Sequence, residues 1–311
     1  MREKFIEQRF NRNSVALINK AIVILNEYEE QGFTLTLRQL YYQFVARGFL
    51  ENNQKEYKRL GNVINNARLA GLIDWNSIED RTRYLRDFNT WNNPDEIIED
   101  ASRQYREDLW RNQNNRVEIW IEKDALLGVI EPFCNRYRIP YFACRGYSSQ
   151  SEQYSAGKRL SSYISNGQEP VIFHLGDHDP SGLDMSRDNL ERLNMFSYSE
   201  IEFHRLALNY NQVEQYNPPP NFAKETDTRA ADYINSFGVN SWELDALSPT
   251  VIDGILETAI SPYIDQDQWD TDLEQEIAKK EELKTASDNW TTIQKYLKRK
   301  QRQSRPKNGQ D

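Results

Sequence analysis

The most constraining stretch of the sequence is VIFHLGDHDPSGLDM, which runs from Val171 to Met185. Its apolar run ends at Gly176, and Asp177 and Asp179 follow with one residue between them. A short apolar run of this kind is typical of a buried strand in a parallel sheet. Because ligand sites in open α/β sheets lie beyond the carboxyl ends of strands, we expect the two carboxylates there. They would repel each other, and an oxygen-seeking cation such as Mg²⁺ would neutralise them. A simple Asx turn after a strand would give the same D-x-D pattern.

Strands alternate with helices around this stretch. Further strands are predicted at 117–122, 140–146 and 201–208, and helices at 124–137, 149–165 and 181–196. This alternation is typical of an α/β fold with a mainly parallel sheet and helices on both faces. The first strand ends in Glu122, so Glu122, Asp177 and Asp179 are expected at the same edge of the sheet. Three convergent carboxylates strengthen the interpretation as a metal site.

The N-terminal region is predicted to be helical, with helices at 14–31, 34–50 and 55–70 followed by a short β-ribbon at 72–83. Three helices and a ribbon are typical of a winged helix-turn-helix domain. Opposite its apolar face, the third helix carries five side chains that can reach phosphates or base edges: Lys58, Arg59, Asn62, Asn66 and Arg68. DNA binding is the natural use of such a surface. Winged helices also serve as protein-interaction modules, and that alternative stays open.

These patterns divide the chain into four parts. We predict a winged-helix domain at 1–92, a charged connector helix at 93–115, an α/β domain with an extension at 116–262, and a helical, basic tail at 263–311. The extension includes a further helix at 249–260. The polar loop that contains Lys224, Asp227 and Arg229 has no role that the residue types reveal.

Charge is distributed unevenly along the chain. The net charge is −9, but residues 1–90 carry 14 Lys/Arg against 11 Asp/Glu, and residues 291–311 carry seven against one. Basic ends on either side of an acidic centre are consistent with an enzyme that grips a polyanion at its edges. Ordinary charge scatter with a solvated tail would look the same.

No segment predicts export or membrane insertion. The sequence lacks a run of about 18 apolar residues, and its first ten residues are polar and charged. Cys134 and Cys144 are the only cysteines and form no C-x-x-C motif, so neither a disulfide framework nor a zinc site is indicated. We expect a cytoplasmic, nucleoid-associated protein.

The combination of these motifs resembles a known group of proteins. A strand ending in Glu, followed about fifty residues later by a strand ending in D-x-D, resembles the Toprim domain of topoisomerases, DnaG-type primases and OLD-type nucleases. Within that group the chain is similar to the A subunit of topoisomerase VI and its meiotic double-strand-break relatives, in which a winged helix precedes the Toprim domain. The resemblance covers roughly residues 34–260.

Two motifs carry the resemblance. The metal motif D-G-D-P-x-G is represented by Asp177-His178-Asp179-Pro180-Ser181-Gly182. The R-x-h-[FY]-Y motif, which holds the cleavage tyrosine, is represented by Arg38-Gln39-Leu40-Tyr41-Tyr42. The chain departs from the family in having His178 for glycine. With only about 40 residues before Tyr42, the extension that docks an ATPase subunit in the family looks absent.

The resemblance implies Mg²⁺-dependent cleavage of double-stranded DNA. Glu122, Asp177 and Asp179 would hold Mg²⁺, and Tyr42 would attack phosphorus to give a 5′-phosphotyrosine. Arg38, one helical turn earlier, would lower the pKa of Tyr42 and bind the phosphate. The family forms homodimers that pair the tyrosine of one protomer with the metal of the other, sometimes with a separate ATPase subunit.

Two alternatives remain at this stage. A hydrolytic Toprim nuclease would use metal-activated water and keep Tyr42 as a structural residue, and a non-catalytic DNA-binding protein would keep the carboxylates as a relic. Neighbouring residues in a helix point about 100° apart, so Tyr41 and Tyr42 are not both expected to face the core. We therefore predict a buried Tyr41 and an exposed Tyr42.

Overall fold

The computed structural model describes residues 2–79, 88–222 and 229–303. The described residues form two compact units: 2–79, 114–222 and 229–263 in the first, and 88–113 and 264–303 in the second. The N-terminal helices and the α/β region therefore belong to the same unit. The end of the predicted ribbon, the loop residues Lys224 and Asp227, and the last part of the basic tail lie outside the described residues.

Three helices open the first unit: α1 (Arg12–Glu30), α2 (Leu37–Ala46) and α3 (Gln54–Leu69). Helix α2 begins with a capping box, in which Thr36 accepts the backbone N–H of Gln39 and the Gln39 side chain accepts that of Thr36. The apolar faces of α1, α2 and α3 pack into one core that includes Ile24, Leu40 and Ile64. The three helices are those that the sequence predicts.

The described part of the predicted ribbon contains no strand pair. A 3₁₀ turn at Trp75–Ser77 takes its place, and Ile78 makes a single bridge to Leu35. The turn forms because the Asp74 carboxylate accepts the backbone N–H of Asn76 at 2.8 Å, which closes the chain locally.

The sheet of the first unit has four parallel strands in the order β2-β1-β3-β4. Their bounds are β1 (Asn115–Ile121), β2 (Tyr141–Ala143), β3 (Glu169–Leu175) and β4 (Glu202–Ala207). Ile121 pairs with Leu175, so Glu122 and Gly176 leave neighbouring strands at the same edge. The predicted α/β class with a parallel sheet is confirmed.

Helices connect these strands: α5 (Leu127–Tyr137), α6 (Gln150–Ser165) and α7 (Pro180–Ser197). After β4 come α8 (Tyr210–Tyr216), α9 (Ala230–Phe237), α10 (Pro249–Ile260) and a short antiparallel pair, β5 (Asn221–Phe222) and β6 (Asn240–Ser241). A 3₁₀ turn at Leu244–Ala246 packs against α2. The chain after β4 therefore returns to the N-terminal helices.

The second unit contains α4 (Pro94–Gln104), α11 (Gln266–Asp288) and α12 (Trp290–Gln303). The predicted connector helix is too long, because α4 ends at Gln104. Beyond it the backbone N–H of Glu107 donates to the buried Glu276 carboxylate at 2.7 Å, and Trp110 packs edge-on against Trp269. These contacts draw the chain out of the helical path. None of the described helices is long and apolar enough to cross a membrane.

A buried histidine in β3 makes the stability depend on pH. The His174 ring is fully enclosed with its Nδ1 at 2.9 Å from the Ser186 hydroxyl, and burial lowers its pKa to about 3. His178 behaves similarly, with a pKa of about 4. Both values lie below that of an unfolded histidine, about 6.5, so the unfolded chain binds more protons below that pH.

We therefore expect the two histidines to lower the free energy of unfolding as the pH drops from 6.5 towards 5. His174→Phe removes one of the two protons that the unfolded chain takes up. The slope of the free energy of unfolding against pH should therefore be smaller in this variant, by about 1.4 kcal/mol per pH unit at the acid end of the range. Urea unfolding at pH 7, 6 and 5 measures the slope for both proteins. Equal slopes would mean that His174 is not neutral in the folded state.

Candidate functional site

The three predicted carboxylates lie at the carboxyl edge of the sheet. Glu122 follows β1 and its Oε2 accepts the backbone N–H of Asp177 at 2.8 Å. Asp179 caps α7 by accepting the N–H of Gly182 at 2.6 Å. A Cβ at Gly182 would lie 2.2 Å from the carbonyl oxygen of Asp177, so only glycine fits at the end of this motif. Close packing thus fixes the turn that carries both aspartates.

A lysine that the sequence reasoning missed sits among these acids. Lys123 Nζ lies 2.7 Å from Asp177 Oδ2, 3.1 Å from Glu243 and 3.6 Å from Asp245. Asp177 is only 6% exposed, and its Oδ1 accepts the N–H of Leu244 at 2.9 Å. Burial raises the pKa of Asp177 to about 7 although Lys123 opposes this shift. Two features of the sequence could have indicated this cluster: Lys123 directly follows Glu122, and Glu243 and Asp245 repeat the spacing of the aspartate pair.

The carboxylates at this edge carry oxygen donors of the kind that Mg²⁺ binds. Five carboxylates surround this edge, and three cations accompany them: Glu122, Asp177, Asp179, Glu243 and Asp245 with Arg38, Lys123 and Arg205. The formal balance is −2, which one Mg²⁺ would neutralise. In the described ranges, however, no three acidic, His or Cys side chains are already arranged around a common point. The Asp177 carboxylate forms an ion pair with Lys123 instead.

Lys123 is expected to stabilise the fold most when divalent ions are absent. Lys123→Met would leave Asp177, Glu243 and Asp245 without their shared ammonium and should cost about 3–5 kcal/mol. Added Mg²⁺ should then raise the melting temperature of Lys123→Met more than that of the parent, since the acidic edge is short of positive charge. Thermal unfolding with and without Mg²⁺ measures both effects. The exposed Lys55→Met is the matched control, and a Mg²⁺ response no larger than the parent's would contradict the expectation.

The prediction of an exposed Tyr42 is wrong. Tyr41 and Tyr42 are both 4% exposed, because α2 is covered on two faces. Tyr41 belongs to the core of the N-terminal helices, and its hydroxyl accepts the N–H of Asn53 at 2.8 Å. Tyr42 lies outside that core, and its hydroxyl interacts with the side chains of Asn221 and Glu243. One tyrosine thus supports the helical core, and the other faces the sheet edge.

The pKa of Tyr42 is raised to about 12, chiefly by burial and then by Glu243. Arg38 lowers it, as expected, but is outweighed. The Arg38 guanidinium forms ion pairs with Glu243 and, at 3.0 Å, with Asp245. These two carboxylates neutralise much of its effect on Tyr42. Arg38 thus acts on Tyr42 in the expected direction, but burial and Glu243 keep the pKa of Tyr42 above its usual value.

All the predicted catalytic and metal residues line one cavity of about 780 Å³. Helix α2 contributes Arg38 and Tyr42 to its wall. The sheet edge and the chain after β4 contribute further polar residues, among them Glu122, Lys123, Asp177, Asp179, Ser181, Asn221 and Glu243. The cavity therefore places a tyrosine hydroxyl and a cluster of carboxylates in contact with the same space.

The predicted DNA-binding residues of α3 do not form one uniform surface. Lys58, Arg59 and Asn62 are exposed, and Arg59 pairs with Glu56 at 2.9 Å. Asn66 is partly buried. Arg68 is also partly buried. It donates to the backbone carbonyl of Trp75 at 2.6 Å, and its Cζ lies 4.5 Å from the centre of the Trp75 ring. Its guanidinium therefore supports the turn after α3.

His178 occupies an aromatic pocket. Its Nδ1 lies 2.8 Å from the Tyr233 hydroxyl, and the rings of Phe237 and Trp242 pack around it. Its backbone exchanges two hydrogen bonds with Trp242, at 2.8 and 3.0 Å. The histidine side chain at this position thus ties the turn of the two aspartates to the segment that carries Glu243.

Arg205 in β4 is a second residue that the sequence reasoning missed. Its guanidinium donates five hydrogen bonds around the aspartate turn: to the carbonyls of Gly176, Asp177, Gly182 and Leu208 and to the Ser186 hydroxyl. An arginine within a predicted strand was the only signal. Arg229, predicted only as a loop residue, pairs with Asp184 at 2.7 Å near the cavity.

The sequence matches none of the protein-family descriptions compared with it, and no curated protein is significantly similar to it.

Proposed function

We propose that the chain cleaves DNA by tyrosine transesterification, in the manner of the topoisomerase VI A subunit that it resembles. In this reading the N-terminal helices are a winged-helix DNA-binding domain and the parallel sheet is a Toprim domain. The helical N-terminal region and the four-stranded parallel sheet support both assignments at the level of fold class.

One observation carries the proposal. Tyr42 and Arg38 line the same cavity as Glu122, Asp177 and Asp179 at the carboxyl edge of the sheet. A phosphate in that cavity would meet a nucleophile, cations and metal-binding oxygens together. An acidic turn of purely structural origin would not need the tyrosine motif beside it.

The roles of the residues follow from their contacts. The Tyr42 hydroxyl gives up its proton and its oxygen bonds to phosphorus, while the bond from phosphorus to the 3′ oxygen breaks and that oxygen takes up a proton. Glu243 and Asn221 orient the hydroxyl. Glu243 is placed to accept its proton, although Arg38 and Lys123 lower the pKa of Glu243 and weaken it as a base.

Glu122, Asp177 and Asp179 would hold Mg²⁺. The bound ion would neutralise the scissile phosphate and stabilise the leaving oxygen. Arg38 would supply further positive charge to the phosphate once it leaves Glu243 and Asp245. Lys58, Arg59 and Asn62, exposed on α3, would contact double-stranded DNA outside the cavity.

A break in both strands needs two nucleophiles, and each chain offers one Tyr42. A homodimer is therefore the expected working form. Strand passage would need a separate ATPase subunit, because the sequence contains no motif typical of an ATP-binding site.

A second candidate is hydrolysis by metal-activated water, with Tyr42 as a structural residue. The burial of Tyr42 and its pKa of about 12 favour this candidate, because a phenol in that state is a poor nucleophile at neutral pH. The two candidates differ in what remains attached to the DNA end.

The deciding experiment is electrophoresis of plasmid DNA under denaturing conditions. Supercoiled plasmid is incubated with the protein and Mg²⁺, stopped with detergent, and loaded with and without protease. We expect nicked or linear DNA that runs freely only after protease treatment, and no product when the Mg²⁺ is chelated. Cleaved DNA with the same mobility in both lanes would establish hydrolysis instead.

A further inference from the structure

We infer that Tyr42 acts with the carboxylates of its own chain and not with those of a second copy. The inference rests on the proposed function and departs from the exchange between protomers that the family resemblance implies. It follows from contacts within the first unit that hold α2 against the sheet edge.

The first set of contacts is ionic. Arg38, one turn before Tyr42, pairs with Glu243 and Asp245. Both acids are also partners of Lys123, which binds Asp177 at 2.7 Å. A continuous chain of ion pairs therefore joins the tyrosine helix to the aspartate of the same polypeptide.

The second set consists of hydrogen bonds. Asn52, in the connection between α2 and α3, donates to the Pro220 carbonyl at 3.0 Å and to the Asn221 side chain at 2.6 Å. Asn221 donates in turn to Glu243 at 3.2 Å and interacts with the Tyr42 hydroxyl. The helical region is thus fastened to the strand pair of β5 and β6 on the other side of the tyrosine.

Burial points in the same direction. Tyr42 is 4% exposed, and its hydroxyl interacts with the side chains of Asn221 and Glu243. For the carboxylates of a second copy to approach it, α2 would have to lose Glu243 and Asn221, and Arg38 would have to leave a nearly fully buried Asp245. Attack within the chain leaves α2 in place: a phosphate enters the cavity that both groups already line, and the Arg38 side chain turns from its two acids to the phosphate.

Two heterodimers with the same pair of substitutions test the inference. In the first, one chain carries Tyr42→Phe and the other Asp177→Ala. In the second, one chain carries both changes and the other is wild type. Each pair is co-expressed with two different affinity tags, purified through both tags in turn, and assayed for protein-linked nicks in supercoiled plasmid.

Attack within one chain gives the second heterodimer one intact site and the first none. We therefore expect the second to nick DNA at about half the wild-type rate and the first to be at least about a hundredfold slower. Attack between chains predicts the opposite result, and nicking by the first heterodimer alone would overturn the inference. A second heterodimer that fails to nick would overturn it as well.

The outcome is separable from the proposed function. If the Tyr42→Phe homodimer cuts DNA as well as the parent, the tyrosine mechanism fails before the heterodimers are compared. If that homodimer is inactive and only the first heterodimer nicks, the tyrosine mechanism stands and the inference alone is wrong. If the two tagged chains do not co-purify and the wild type still cleaves, a single chain carries the whole site, which supports the inference.

Discussion

Tyr42→Phe is expected to abolish covalent cleavage of DNA and leave the fold intact. The change removes only the hydroxyl oxygen that would attack phosphorus, and the ring keeps its place between α2 and the sheet edge. The loss of a nucleophile typically costs several orders of magnitude, so the rate of adduct formation should fall by at least about 1,000-fold. Gel detection of protein-linked DNA measures it.

Tyr41→Phe is the matched control on the neighbouring residue. Tyr41 is equally buried, but its hydroxyl serves the core by bonding to the backbone of Asn53 and Glu51. Its loss should cost about 1–2 kcal/mol of stability and leave cleavage within a few-fold of the parent. Wild-type cleavage by Tyr42→Phe would end the transesterification proposal in favour of hydrolysis.

A large effect on stability is expected for Arg205→Met. The change removes five hydrogen bonds, to four carbonyls and one hydroxyl, around the turn that holds Asp177 and Asp179. Such acceptors have little access to water, so we expect a loss of about 3–5 kcal/mol in the free energy of unfolding. Denaturant unfolding gives the value directly.

Arg192→Met is the control for this change. Arg192 is also an arginine of the α/β region, but it is 40% exposed, and it pairs with Asp188, one turn earlier in α7. Its loss should cost less than about 1 kcal/mol. An Arg205 variant no less stable than the Arg192 variant would show that the five hydrogen bonds do not hold the turn.

Local patterns predicted most of the secondary structure. The apolar runs before Glu122 and Asp177 fall in β1 and β3, and α2 begins after Thr36, a residue type that is favoured at helix N-caps. Such features depend on residues close in the sequence. The end of α4 was missed because a carboxylate more than 160 residues away, Glu276, captures the backbone of Glu107.

The candidate site was predicted only in part, for the same reason. Glu122, Asp177 and Asp179 could be placed by strand ends, whereas the pairing of Lys123 with Glu243 joins residues 120 positions apart. The burial of Tyr42 depends on the return of the chain to α2 after β4. No periodicity in α2 itself distinguishes a helix covered on one face from a helix covered on two.

Because α2 is covered on both faces, only certain motions could expose Tyr42 to solvent. Because the opposite face of α2 is locked into the core with α1 and α3, the hydroxyl cannot be brought out by rotation of α2 alone. A motion that exposes Tyr42 would have to move α1, α2 and α3 together and break the ion pairs of Arg38 with Glu243 and Asp245. Such a motion would also separate Tyr42 from the carboxylates of its own chain, so the proposed attack requires the phosphate to enter the cavity with α2 in place.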